Sequence, residues 1–256
     1  MDHPDITMLL FLIVAGFIAS FVDSVVGGGG LISMPALLFA GLPPGLALGT
    51  NKLAGTMSSL TSTASFLASG KIRIKLVAAL FPLSLAGSVA GAFTVQQIPT
   101  SFLKPLVVVM LIGVTIYTLC KKSWGNQSNF PGLTRNNTII LSAGALVIGF
   151  YDGFFGPGTG SFLIFMFLLL GFDFIGASAN SKVLNLASNL GSLTTFFMLG
   201  AVNVYYGLPM GIAMIFGALA GSQFAIRKGS SYVKPLFLSV TLLLIGKQLW
   251  DLWTAG

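Results

Sequence analysis

Phe21-Val-Asp-Ser-Val-Val-Gly-Gly-Gly-Gly30 returns later in the chain as Phe150-Tyr-Asp-Gly-Phe-Phe-Gly-Pro-Gly-Thr159. Each stretch sits inside an apolar run, 6–41 and 138–172, that is too long for one membrane crossing. Roughly 35 helical residues reach about 50 Å, against a hydrocarbon core of about 30 Å. Each run is also broken. Four consecutive glycines weaken a helix by about 1 kcal/mol apiece, and proline removes a backbone donor. Gly27–Gly30 and Gly156–Gly160 therefore divide each run into a longer helix, a glycine loop and a shorter helix of about twelve residues.

Outward from these breaks the repetition continues at the spacing that separates Lys52 from Lys182. Gly41 matches Gly171, Ala47 Ala177, Ser58 Ser188, Phe66 Phe196 and Gly70 Gly200. The Gly87 and Gly91 pair matches Gly217 and Gly221, and Lys104-Pro-Leu106 matches Lys234-Pro-Leu236. The chain is thus expected to hold a first transmembrane repeat (1–120), a polar linker (121–137) and a second repeat (138–256). Paired interrupted hydrophobic segments in two similar halves point to a secondary transporter and to its binding site.

Composition agrees. The 256 residues are 55% hydrophobic and 7% charged, where soluble proteins carry about a quarter charged. The fold class is an all-α polytopic membrane protein. Eight apolar segments fall at about 6–41, 45–69, 76–96, 102–120, 138–172, 176–200, 204–226 and 233–253. The net charge of +7 needs no nucleic-acid partner, because basic residues collect in cytoplasmic loops of membrane proteins. A single cysteine, Cys120, forms no internal disulfide, and a single histidine, His3, makes no metal cluster. Neither a metal nor a cofactor is expected. The first segment lacks a basic n-region and reads as a part of the mature protein.

Loop charge separates two topologies. With eight plain crossings the basic residues divide weakly between the two sides. With segments 1 and 5 as re-entrant hairpins, Lys71, Arg73, Lys75, Lys121, Lys122, Arg135, Arg227, Lys228 and Lys234 share one side, and Lys104 and Lys247 the other. The positive-inside rule favours this arrangement, with six crossings, both termini outside and the two repeats inverted. Irregular backbone at membrane depth must be buried in protein or line a cavity, so the two breaks are expected to meet. Helix starts near Leu31 and Ser161 would offer backbone N–H groups to an anion.

The stretch Phe21–Lys52, with Gly149–Gly160, Ala179-Asn-Ser-Lys182 and Asn185, resembles the paired signatures of the TauE/SafE family of sulfite and organosulfonate exporters, over the whole chain. The resemblance implies multi-pass transport at a bacterial inner membrane. The implied substrate is a small anionic sulfur compound: sulfite, sulfoacetate or a related sulfonate. Export is implied, although related permeases are thought to import. It leaves a homodimer open.

Lys52 and Lys182 are repeat mates within apolar segments. A lysine at the bilayer centre costs at least about 3 kcal/mol on insertion scales and usually has a partner and a function. They read as a pair of cations facing an anion, against a reading in which they snorkel or pair structurally. Asp23 and Asp152, also mates, read as proton-coupling groups, as caps of the broken helices, or as counter-charges. Thr50, Asn51, Asn180, Ser181, Asn185 and Asn189 are neutral groups for an oxyanion, or polar glue between helices. The loop residues Gly28, Gly29, Gly30, Gly158, Thr159 and Gly160 complete the candidate binding set, with Ser33 and Ser161 as weaker members. Rival classes are an anion channel and an intramembrane aspartyl protease, for which Tyr151-Asp152 supplies a tyrosine–aspartate pair. That last reading leaves the two lysines and the doubled glycine breaks unexplained, so no enzyme is expected.

Overall fold

The computed structural model describes residues 6–97 and 127–229, with scattered positions of a further helix between 231 and 250. The expected segment 102–120, most of 233–253, both termini, and Lys104, Lys121, Lys122, Lys234 and Lys247 lie outside the described residues.

Among the described residues all regular structure is helical. The helices are α1 (Ile6–Val26), α2 (Gly30–Phe39), α3 (Pro44–Ala68), α4 (Ile74–Thr94), α5 (Arg135–Phe154), α6 (Thr159–Leu169), α7 (Phe174–Met198) and α8 (Val204–Lys228). A 3₁₀ turn, Val95–Gln97, follows α4. The two long runs break where the glycines stand. After α1, Gly27 and Gly28 take φ of 75° and 85°; after α5, Gly156 and Gly158 take 92° and 91°. L-residues with a Cβ rarely enter this region.

Starts are fixed by local chemistry. Pro44 opens α3, where its missing N–H is no loss. The side chains of Thr134, Asp173 and Asn203 each accept a backbone N–H at the starts of α5, α7 and α8. Thr134 therefore ends the expected linker three residues early. The linker's described part is also docked: Asn129 N–H donates to Gly171 O at 2.7 Å. The Arg73 guanidinium lies 4.9 Å from both the Phe130 and Phe172 rings.

The chain turns back at the first break. The Phe39 ring at the end of α2 lies 5.4 Å from that of Phe11 near the start of α1, so α1 and α2 form a helical hairpin. A Cβ on Gly29 would meet Ala19 O and the Asp23 side chain, so α2 begins tight against α1.

Packing pairs the helices across the halves in matched fashion. α1 lies on α8 as α5 lies on α4, and α3 lies on α8 as α7 lies on α4. Glycines permit the close approach. Gly217 and Gly221 face the α1 backbone at Phe17 and Phe21, while Gly87 and Gly91 face the α5 backbone at Leu146 and Phe150. A side chain at any of the four would collide with those carbonyls.

These registers give direction. Contacts climb together along α1 and α8 (Phe17 with Gly217, Phe21 with Phe224) and along α3 and α8 (Thr50 with Asn203, Met57 with Gly211). They climb together along α5 and α4 (Gly149 with Ser84, Gly153 with Ser88) and along α7 and α4 (Asn180 with Arg73, Gly191 with Ser88). Along α3 and α7 the contacts run in opposite senses (Gly49 with Phe196, Gly55 with Asn189), so α1, α3 and α8 run one way, and α4, α5 and α7 the other.

The distribution of polarity is that of a membrane protein. Among the described residues, α1, α4, α5 and α8 are long and apolar enough to cross a membrane. Leu10, Val14 and Ile18, at four-residue spacing, are exposed on α1, as are Leu208, Ile212 and Phe216 on α8. Serines lie inside: Ser20, Ser58, Ser62, Ser84, Ser88, Ser188 and Ser192 are buried. Most bond a carbonyl one turn back, as Ser62 and Ser192 do, which satisfies a hydroxyl where water is scarce. α3 and α7 carry most of this polar load.

Candidate functional site

The tips of the α1–α2 hairpin and of the α5–α6 segment meet. Gly27 packs on the backbone of Gly160 and Ser161, and Gly30 on Pro157. Ser161 Oγ donates to Val26 O at 3.3 Å, across the junction. Gly27 is thus required twice, for its positive φ and for the absence of a Cβ.

α3 and α7 flank this junction and bring the lysines. Each lysine pairs with the aspartate of the other half. Lys52 Nζ lies 2.8 Å from Asp152 Oδ1, and Lys182 Nζ lies 2.6 Å from Asp23 Oδ2. Both lysines are buried. Two charges leave water together only when each compensates the other, so the four residues form a neutral set.

The two pairs are not equivalent. Asp23 uses both oxygens: Oδ2 meets Lys182, and Oδ1 accepts the Gly29 N–H at 3.2 Å. It caps the start of α2 and fills that anion position with the protein's own carboxylate. Asp152 uses one. Its Oδ2 is buried, and no donor among the described residues reaches it.

Beneath the junction lies a cavity of about 50 Å³. Its wall includes Asp23, Lys52 and Asp152, the backbone of Gly28, Gly29, Gly30, Gly156, Gly158 and Gly160, and a neutral polar set. That set is Ser20, Ser33, Asn51, Ser58, Thr159, Asn185 and Asn189. Asn51 Oδ1 is a second buried acceptor without a donor among the described residues.

Ser161 is held at the junction by its bond to Val26 O, and four further members of the sequence-derived set also stand outside the wall. Lys182 is fully buried and is absent from the cavity wall, because its ammonium is turned onto Asp23. Ser181 Oγ is spent on Ser178 O. Thr50 Oγ1 accepts the Asn203 N–H at 2.9 Å and donates to Leu46 O. Asn180 Oδ1 accepts the Arg73 N–H at 2.9 Å while its Nδ2 donates to Gly176 O. Thr50 and Asn180 are repeat mates, and so are their partners, which are the residues that open α8 and α4. Both tie a loop to a helix at the protein's rim. Polarity near a lysine did not distinguish these ties from ligands.

Sequence reading also missed wall residues. Ser20 and Ser58 bond one another at 2.5 Å, and Ser20 Oγ also donates to Met214 O. Gly55 lines the cavity where its repeat mate is Asn185. That substitution of nothing for an amide leaves space on the Lys52 side, and it is visible in the alignment of the halves. Among the described residues no group of three histidine, cysteine or acidic side chains could hold a metal.

Comparison with known proteins identifies the family. The family model described as sulfite exporter TauE/SafE matches residues 12–247. The chain is 40% identical over 245 residues to a probable membrane transporter protein, ORF9, of a Sinorhizobium species, covering 95% of this chain and 93% of that one. It is 34% identical to a probable membrane transporter protein of Haemophilus influenzae, with 96% of each chain covered. It is 32% identical to the probable membrane transporter protein YfcA of Escherichia coli, with 98% of this chain and 92% of that one covered. No solved structure matches. A family match across nearly the whole length, on a helical membrane fold with charged residues buried at its broken helices, has one reading: the chain belongs to the TauE/SafE family of membrane transporters.

Proposed function

We propose that the protein is a secondary transporter that carries a small sulfur oxyanion, of the size of sulfite, outward across a bacterial inner membrane. The observation that carries this reading is the cavity between the two halves, whose wall presents Lys52 paired with Asp152, the Asp23 carboxylate paired with Lys182, and neutral polar groups, with no unpaired cation among the described residues. Neutral donors suit an anion that must bind and also leave. One buried water needs about 10–15 Å³ of such space, so about 50 Å³ holds a few waters, or an anion of a few heavy atoms. Sulfite suits this room better than sulfoacetate or another extended sulfonate.

The helix directions support an inverted repeat with re-entrant hairpins. Mates α1 and α5 run oppositely, as do α3 and α7, and α4 and α8. If segments 1 and 2 were plain successive crossings, α1 and α3 would oppose each other; they run together on α8. The direction set is compatible with six crossings and both termini on one side, and the basic loops favour the outside for that side. Alternating access would rock one half against the other around the fixed site. A continuous anion pore is the rival reading.

The test is flux in proteoliposomes. Sulfite efflux should saturate with concentration, and external unlabelled sulfite should accelerate exchange of labelled sulfite. Non-saturating conductance without counterflow identifies a channel instead. Indifference to sulfite and thiosulfate alike removes the sulfur-anion assignment.

A further inference from the structure

The two ion pairs occupy equivalent places in the repeat, yet their surroundings assign them different work. Asp23 is satisfied on both oxygens, and its lysine is sealed away from the cavity. Asp152 has one buried oxygen with no donor among the described residues, and its lysine lies in the cavity wall. An anion entering the cavity can reach Lys52 and not Lys182.

We propose that Lys52 and Asp152 form an exchange pair that couples the anion to a proton: the anion takes Lys52, and Asp152 takes a proton on its free side. This rests on the transport reading above and adds to it the coupling ion and the residue that carries it.

The argument is one of charge. A single ammonium cannot neutralise two anions in a buried site. When the transported oxyanion draws Lys52 Nζ away, Asp152 loses the one donor it has. An ionised carboxylate buried without a cation is far costlier than a neutral acid. Among the described residues no other cation relieves it. From α7, Lys182 is held by Asp23. From α1, Asp23 lines the same cavity and adds a like charge. From α5 itself, Tyr151 is turned away, its hydroxyl given to Pro157 O. α4 brings the neutral Ser84 and Ser88 to α5, and α6 brings Thr159.

The step balances without any further reactant. One anion and one proton enter from water. The Lys52–Asp152 contact breaks, and a Lys52–anion contact and an Asp152 O–H bond form. On the other side the proton leaves, the carboxylate recovers Lys52, and the anion is released. The carboxylate is thus both the proton carrier and the competitor that expels the substrate. An outward anion gradient then exports both species together.

The experiment uses the purified full-length protein. The probes are sulfite and thiosulfate, the second because it carries no proton of its own near neutral pH. Infrared difference spectra on anion addition should show a protonated-carboxyl band. That band should move in Asp152→Glu and stay in place in Asp23→Glu. A weakly buffered titration of the unmodified protein should show uptake of close to one proton per thiosulfate bound. This second measurement needs no variant to fold. Binding without proton uptake overturns the proposal and leaves the transport reading intact, as does a band that follows Asp23→Glu. No binding of either anion by the unmodified protein overturns both.

Discussion

Lys182–Asp23 and Lys52–Asp152 are the same interaction built twice, and they differ in what surrounds them. The first is closed at its lysine: both Asp23 oxygens have a donor, and Lys182 has no contact with the cavity, although Asp23 lines it. The second is open: one carboxylate oxygen has no donor among the described residues, and the lysine meets the cavity. Duplication supplies two identical charge pairs, and the neighbours decide which one anchors the fold and which one works. Gly29 donates to Asp23, and Gly55 leaves room beside Lys52.

The comparison breaks most sharply at the closed pair. Removing one partner of a buried ion pair costs about 3–5 kcal/mol, because the other charge stays behind without compensation. Lys182→Met should therefore lower the melting temperature in detergent severely, or abolish folding. Asp23→Asn combined with Lys182→Met should recover much of the loss. A single Lys182→Met variant as stable as the parent would show that the pair anchors nothing.

At the open pair the largest change belongs in binding. A charge-assisted contact contributes about 1.5–3 kcal/mol, or roughly ten- to a hundredfold in affinity. Lys52→Gln should weaken sulfite binding by that factor in calorimetry. Asn51→Ala should weaken it less, since a neutral donor is worth about 1 kcal/mol. Equal affinities in Lys52→Gln and the parent would move the anion site off this lysine, onto the glycine backbone.

Much of this was legible in the sequence, for a physical reason. Glycine runs in apolar segments and lysines at membrane depth are expensive, so they announce themselves in one dimension. The breaks at Gly27–Gly30 and Gly156–Gly160, their meeting, and the candidacy of Lys52 and Asp152 followed from that cost together with the correspondence of the halves. Partner choice was not legible. Which aspartate takes which lysine depends on the crossing of α3 and α7, and nothing local encodes that crossing. Thr50 and Asn180 looked like ligands because polarity near a lysine is equally suited to bind an anion or to tie a loop. The empty place at Gly55 was legible only as a difference between the halves, and an absent side chain is easily overlooked.

Gly55 sharpens the comparison by making the halves alike. Gly55→Asn gives the first half the residue that Asn185 gives the second. A Cβ there would stand 3.1 Å from Asn189 Oδ1, and the amide beyond it would enter the cavity. Stability should fall by no more than about 1–3 kcal/mol, the usual cost of overpacking. Anion affinity should fall at least about tenfold, equivalent to 1.4 kcal/mol. Thermal unfolding and calorimetry on the same preparation separate the two effects. Retained affinity would place the anion away from Gly55 and Asn189.

The smallest expected effect concerns the ties at the rim. Thr50→Val keeps the volume of the side chain and removes the acceptor for the Asn203 N–H; Asn180→Leu does the same for Arg73. Each replacement removes two hydrogen bonds and leaves the loop N–H without its acceptor, and should cost about 1–3 kcal/mol. The two costs should be similar, because the mates perform the same task at opposite ends of the molecule. Neither should alter sulfite affinity, since neither side chain belongs to the cavity wall. A tenfold loss of binding in Thr50→Val with normal melting would return Thr50 to the substrate site. It would also mean that the loop before α8 moves when the anion binds, carrying the Thr50 hydroxyl inward from its present bond.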